Sequence, residues 1–297
     1  MIESIAFDQP TSYLAARPRG ARAKRLLPAP VFAVTSGKGG VGKTNVVANL
    51  ATALARTKRR VMAIDADLGL ANLDLFLGVK PTHTLADFFS GAATLDEIVV
   101  ANRDGILLLP GASGVAAITA LSRDQKNSLL TELDVMTADL DLVLVDTGSG
   151  ISDVVTYFTS AAQEIVVVVT PELASITDAY ALIKVLVSAH GRKRFAILAN
   201  NVADEAEARR LFDTLSGTAL RFLNASLDFI GWIPRDAQLF RAMTQARTVV
   251  TDAPDSPSSR AFATLAEQFM RLAGRSKVKG NMQFFLRRML AAETASR

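Results

Sequence analysis

The sequence predicts an α/β fold, a doubly wound and mostly parallel sheet with helices on both faces. Short apolar runs rich in β-branched residues recur along the 297 residues, and each ends in a polar or glycine-containing turn. Segments with helical spacing separate these runs. Uninterrupted apolar strands alternating with helices imply strands buried on both sides, the condition of a parallel sheet rather than of a half-solvated antiparallel one.

In chain order, strands are expected at residues 31–35, 60–64, 106–109, 142–145, 165–169, 195–199 and 229–233, and helices at 46–55, 122–138, 176–189 and 206–223. Residues 1–29 read as a basic arm, residues 30–274 as one core domain and residues 275–297 as a second tail. Within the core, residues 252–259, rich in aspartate, proline and serine, read as a loop before the last core helix. No internal repeat is evident.

Composition narrows the chemistry. There is no cysteine, so disulfides and thiolate metal sites are excluded, and His83 and His190 are the available imidazoles. A metal here is therefore a hard cation held by oxygens. His83 reads as a loop residue, His190 as a helix-end residue and Trp232 as a core residue of a strand. No apolar run reaches the roughly 18 to 20 residues that span a bilayer, and the basic start of the chain has no apolar signal core. A cytoplasmic location is expected. The net charge is +4, with Arg17, Arg19, Arg22, Lys24 and Arg25 crowding the arm, a run that attracts anions or is simply solvated.

Between the first strand and its helix stands Gly37-Lys38-Gly39-Gly40-Val41-Gly42-Lys43-Thr44, the pattern G-x-x-x-x-G-K-[ST] in the strand, loop, helix context it requires. Glycines let backbone N–H groups turn inward around phosphates, and the helix N-terminus, running on into Asn45, adds positive potential. Lys43 is placed to reach the outer phosphates and the Thr44 hydroxyl to ligate Mg²⁺, so ATP and Mg²⁺ are the expected cofactors. Downstream, Asp65-Ala66-Asp67 closes the second strand, and Asp146-Thr147-Gly148-Ser149-Gly150 follows the strand at 142–145. Carboxylates thus gather at the C-terminal sheet edge where α/β folds bind ligands, although carboxylates there also cap helices. Gly148 and Gly150 allow a mobile switch near the γ-phosphate.

With Lys38 the loop reads KGGVGKT, and here the chain resembles the deviant P-loop ATPases of the MinD/ParA family. The resemblance implies that Lys38 acts in trans on the γ-phosphate held by the other subunit of an ATP sandwich dimer, with Lys38, Lys43 and Asp67 as the catalytic set. It also implies that Asp67 orients the attacking water, and that Asp65 and Asp146 support the Mg²⁺ shell beside Thr44, mainly through water. In MinD-like proteins two further loops hold adenine, matched here by Asn200 and by Pro234-Arg235-Asp236; whether Asn200 or Asn201 points inward is open at this stage. Asn72, Asp153, Glu172 and Asp178 lie in family-like motifs that face either the dimer partner or the switch.

Over roughly residues 31–290 the resemblance becomes more specific. DADLGLANLDLFLGV, LPGASG, DTGSGISDVVTYFTSAAQEIVVVVTPELASITDAYALIKVL and VKGNMQFFLRRML are similar to the FlhG/FleN regulators of flagellar number. That implies an ATPase limiting flagellar number or placement, with an FlhF-type GTPase, flagellar switch (C-ring) proteins and, in some bacteria, a flagellar transcription activator as partners. It implies a position on the inner face of the cell membrane, at the cell pole or flagellar base. The family often opens with a DQ-containing helix that stimulates the partner GTPase; Asp8 and Gln9 match it, but Pro10 stands where alanine is usual and Leu14 comes one position late.

The C-terminal tail is informative without the family. Met282, Phe285, Leu286, Met289 and Leu290 fall on one helical face, with Lys277, Lys279, Arg287 and Arg288 around them. Such a basic amphipathic helix lies in an anionic membrane interface, or docks on its own domain or a protein partner. One short copy binds lipid weakly, so a homodimer carrying two would be held by avidity. Direct DNA binding is not expected. Two rivals are a ParA-like DNA-partitioning ATPase and a metabolic P-loop enzyme that phosphorylates or reduces a small molecule; the missing cysteines exclude an iron-sulfur carrier.

Overall fold

The computed structural model describes residues 11–12, 29–67, 72–110, 132–133 and 136–275. The elements follow in chain order: β1 (Thr11–Ser12), β2 (Val31–Ser36), α1 (Lys43–Arg56), β3 (Val61–Ala66), α2 (Leu73–Leu77), α3 (Leu85–Ser90), α4 (Leu95–Ile98), β4 (Val100–Ala101) and β5 (Leu107–Leu109). After them come β6 (Leu142–Ser149), α5 (Asp153–Ala161), β7 (Glu164–Val169), α6 (Leu173–His190), β8 (Arg194–Val202) and α7 (Glu205–Leu223). The chain continues through β9 (Ser226–Pro234), α8 (Ala237–Thr244), α9 (Val249–Asp252) and α10 (Pro257–Arg275).

The strands form one sheet in the order β1-β4-β5-β3-β6-β2-β7-β8-β9. From β5 to β9 every neighbour is parallel, as the buried apolar runs required. Two strands were not legible in the sequence: β4 pairs antiparallel with β5, and β1, inside the stretch expected to be a basic arm opening on a DQ-containing helix, pairs antiparallel with β4. Most of the helix expected at 122–138 lies outside the described residues.

Alternation along β2 builds the core. Phe32 and Val34 face α1 and α10, where the Phe32 and Phe269 rings pack with centroids 4.9 Å apart. Val31 and Ala33 face the opposite layer with Phe158 and Ala161 of α5, and farther along the sheet that layer is α6 and α7. Burying each such ring removes it from water at a gain of about 1.5–3 kcal/mol, so the loop after β2 starts from a rigid base.

Helix ends have local causes. Asp204 caps α7 by accepting from Glu207 N (2.8 Å), while Gly191 ends α6 in the left-handed conformation. The loop expected at 252–259 is shorter than anticipated, because Ser256 Oγ accepts from Ser259 N (3.0 Å) and Pro257 occupies the first helical position of α10. Helix α6 is apolar enough, by length and composition, to cross a bilayer, although polar residues interrupt its apolar run. Its Ala179, Leu182, Ile183 and Leu186 nevertheless pack on the sheet with β7 and β8.

Candidate functional site

The loop of residues 37–42 leaves β2 at the C-terminal edge of the sheet and enters α1, whose N-cap, Gly42, is left-handed (φ 90°) and supplies no side-chain cap. The first turn of α1 carries no acidic side chain, so its unbonded N–H groups present uncompensated positive potential. Gly37 lies so tightly against α6 that a Cβ there would sit 2.1 Å from the carbonyl carbon and oxygen of Asp178, which explains why only glycine fits. The Ser36 hydroxyl donates to Lys38 O (2.7 Å) and Gly150 N donates to Ser36 O (3.0 Å), tying the loop to the end of β6. Lys43 and Asn45 are buried at the head of α1, and Asn45 Oδ1 accepts from Asn49 Nδ2 (3.2 Å).

Strand alternation turns the acidic groups toward that loop. Asp65 on β3 stands beside Asp146 on β6, and both lie on the α1 side of the sheet. The sequence placed Asp146 after a strand, but β6 runs on to Ser149 and leaves Asp146 1% exposed. Neither of its carboxylate oxygens has a partner of hydrogen-bonding geometry. Burial pushes its pKa up to about 7; the nearby Thr44 hydroxyl and Lys43 ammonium oppose that rise, and Asp65 reinforces it. Burial likewise lowers the pKa of Lys43, with Asp146 and Asp67 acting against the shift. Asp65 plays a different part, in which Oδ1 accepts from Asp67 N, and Oδ2 from Asn72 N and Leu73 N, each at 3.1 Å. Burial still raises its pKa to about 6 against those bonds. Asp65 thus shapes the segment carrying Asp67, whose carboxylate lies 3.7 Å from where a Gly148 Cβ would stand.

The residues fit a magnesium nucleotide. Two orphaned oxygens on a buried carboxylate need a cation or a proton, and a glycine cradle on a helix N-terminus needs an anion. Among the described residues no group of three or more His, Asp or Glu side chains could hold a metal by itself. Mg²⁺ is suited to that poverty of ligands, since it keeps several waters and takes its other oxygens from phosphates; bound here, it would neutralise charge developing on them.

A family model described as ParA, NUBPL iron-transfer P-loop NTPase, matches residues 29–270. The antiactivator FleN of Pseudomonas aeruginosa is 43% identical over 263 residues, 89% of this chain and 94% of that protein. The flagellum site-determining protein YlxH of Helicobacter pylori is 34% identical, covering 79% of this chain and 80% of its own. The chain belongs to the ParA/MinD family of P-loop ATPases. Among solved structures, MinD from Pyrococcus horikoshii complexed with Mg-ADP superposes with a TM-score of 0.63 at 26% identity, covering 84% of this chain and 100% of that one. As a family member the chain is an ATPase that uses ATP and Mg²⁺. Iron transfer, part of that family description, finds no thiolate ligand here, because the chain has no cysteine.

In this ATPase the additional lysine of the loop, Lys38, is held by a residue of its own chain. Lys38 Nζ forms an ion pair with Glu172, just ahead of α6, and the two side chains are 35% and 60% exposed. Nothing in the sequence signalled that pairing. Asn200 is buried and its Nδ2 donates to Val41 O (2.7 Å), whereas Asn201 is exposed with a left-handed backbone (φ 58°), so Asn200 is the residue that points inward. Arg235 is exposed, and its N–H donates to Val202 O (2.7 Å). Asp236 caps α8 through Gln238 N (2.8 Å) and also accepts from Ser258 N (3.0 Å), joining α8 to α10. Pro234 ends β9 and accepts from the Ser258 hydroxyl (3.5 Å). Trp232 lies in β9 as expected but is only partly buried, against the layer of α6 and α7. Asp8, Gln9, Met282, Phe285, Leu286, Arg287, Arg288, Met289 and Leu290 lie outside the described residues.

Proposed function

We propose that this ATPase is a monomer–dimer switch that regulates flagellar number and placement, and that its ATP-bound dimer associates with the membrane. The observation that carries the proposal is the position of Lys38. It stands half-exposed on the rim of the phosphate loop, paired with Glu172, and the apolar side chains of Ile151 (53% exposed) and Leu173 (80% exposed) occupy the same sheet edge. An exposed ion pair is worth about 0–1 kcal/mol, so a partner's γ-phosphate can take Lys38 from Glu172 at little cost. The matching relatives act, by their names, as an antiactivator and a flagellum site-determining protein, which favours a binding output over a chemical product.

In this scheme Lys43 and Thr44 hold the outer phosphates and Mg²⁺, Asp65 and Asp146 support the metal through water, Asp67 orients the attacking water and the second subunit completes the charge stabilisation. Residues 1–29 act as an arm toward an FlhF-type GTPase, residues 30–274 form the ATPase, and residues 275–297 bind anionic lipid. Flagellar switch proteins and a flagellar transcription activator are the proposed further partners. Dimerisation doubles the lipid anchors, so ATP controls attachment without touching lipid-binding residues.

Mass by light scattering with ATP·Mg²⁺ or with ADP, on wild type, Lys38→Ala and Asp67→Ala, tests this together with liposome co-sedimentation of the same samples. The expected pattern is a wild-type dimer with ATP, a monomeric Lys38→Ala, and an Asp67→Ala dimer that persists on anionic liposomes. Three monomers that ignore liposomes would sink the switch. ATP-dependent, salt-sensitive binding to nonspecific DNA without lipid binding would favour the DNA-partitioning alternative instead.

A further inference from the structure

We propose that Asn200 is a positioning residue for the phosphate loop, acting through one buried hydrogen bond from its amide to Val41 O. It concerns the nucleotide site itself and is independent of the dimer and membrane scheme above.

The bond joins residues 159 apart in sequence and is buried, with Nδ2 at 2.7 Å from the carbonyl oxygen. Its direction is set by the sheet. Along β8, Ala196 and Leu198 face the layer of α1, while Phe195, Ile197 and Ala199 face the opposite layer. Asn200 continues that alternation beside Ile233 of β9, which also faces α1, so its side chain points under the loop rather than away from the sheet edge. The register then slips between Asn200 and Val202, with Asn201 in the left-handed conformation as the extra residue, and Val202 returns to the layer of α6 and α7. The bulge therefore ends the strand just after the side chain has been aimed.

The loop is built to receive this tether. Gly42, directly after Val41, has φ 90°, and a Cβ on it would lie 2.7 Å from Asn200 Nδ2. Gly42 is thus required twice, once by its backbone and once by the amide packed against it. The start of the loop has its own fastenings, Gly37 against the Asp178 backbone and the Ser36 hydroxyl on Lys38 O. Asn200 supplies the corresponding fastening at the end that becomes α1. Four glycines between residues 37 and 42 leave the backbone free to wander, and a phosphate cradle works only when its N–H groups converge. Losing the donor would also leave a buried carbonyl unpartnered, which the loop relieves by moving.

A residue that merely touched the base would not affect a ligand without one. Magnesium tripolyphosphate is such a ligand, and its affinity, measured by calorimetry beside Mg·ATP on the full chain, separates the two roles. For Asn200→Ala and Asn200→Asp, which replaces the donor by an acceptor facing the Val41 carbonyl, tripolyphosphate binding is expected to weaken about tenfold, about 1.4 kcal/mol. ATP binding is expected to weaken at least as much, with preference for ATP over GTP retained. Where the alanine variant does not fold, Asn200→Ser provides the same comparison. Loss of ATP affinity with tripolyphosphate binding unchanged would overturn the proposal and leave a base contact only. A lower melting temperature with both affinities unchanged would overturn it too, as a purely structural role. A wild type that binds neither probe would remove the phosphate-site assignment and the proposal with it.

Discussion

Replacing Asp146 by asparagine tests whether the floor of the phosphate site carries an electrostatic cost that a cation relieves. Asp146 is 1% exposed, its oxygens have no partner of hydrogen-bonding geometry, and burial pushes its pKa from 3.8 up to about 7. The folded state therefore holds this proton more tightly than the unfolded chain does. The resulting stability is fully present below the unfolded value and is lost as pH rises toward and through about 7. At about 1.4 kcal/mol per pKa unit the whole loss is on the order of 4 kcal/mol, of which about 2 to 3 kcal/mol falls between pH 5 and pH 8. The asparagine cannot ionise, so its stability lacks this component. Urea unfolding of wild type and Asp146→Asn at both pH values, without nucleotide, measures the effect; comparing the two pH values cancels any fixed cost of burying the amide. The variant is expected to gain about 2 to 3 kcal/mol on wild type between pH 5 and pH 8. Added Mg·ATP should raise the wild-type midpoint at pH 8 by mass action and the variant's much less. Parallel pH profiles for the two proteins would refute the assignment of Asp146 as a buried unpaired carboxylate, and with it the physical case for a cation at that point.

Three further outcomes are expected. Gly37→Ala forces a methyl group to within 2.1 Å of the Asp178 carbonyl, so the loop must leave α6; at an overpacking cost of about 1–3 kcal/mol, Mg·ATP affinity by calorimetry should fall roughly 10- to 100-fold while far-ultraviolet circular dichroism is unchanged. Glu172→Gln removes an ion pair whose side chains are 35% and 60% exposed, so unfolding free energy should move by less than about 1 kcal/mol, and a larger loss would mean the pair is a structural clamp. Phe269→Ala empties the space against Phe32, 4.9 Å between ring centroids, and should cost about 3–5 kcal/mol in urea unfolding; a cost under about 1 kcal/mol would place α10 outside the cooperative core.

Much of the architecture was legible because it is written in local pattern. The seven apolar runs became seven strands, each within a few residues of its expected limits, since a strand buried on both faces must be apolar throughout. Strands β1 and β4, two residues each, carry no period to detect. Helices α3 and α4 do have a local signature, the capping boxes Thr84/Asp87 and Thr94/Glu97, but they are too short to show an apolar period. In the site, the spacing of Gly37, Gly42, Lys43 and Thr44 sufficed to locate the phosphate loop, because those residues act together over one turn of backbone.

The sequence by itself determined the fold class, the cation chemistry available to a chain without cysteine, and the loop that takes phosphate. Only the tertiary structure decided what the remaining polar side chains do. Asp65 fastens Asn72 and Leu73, Lys38 meets Glu172, Asp236 joins α8 to α10, and Asn200 rather than Asn201 turns inward to Val41. The reason is physical. Periodicity and propensity record which face of an element is buried, and each residue carries that information with its near neighbours. The partner of a side chain depends on which strands become adjacent and where a bulge shifts their register, and the order β3-β6-β2-β7-β8 arises only when distant segments pack against one another.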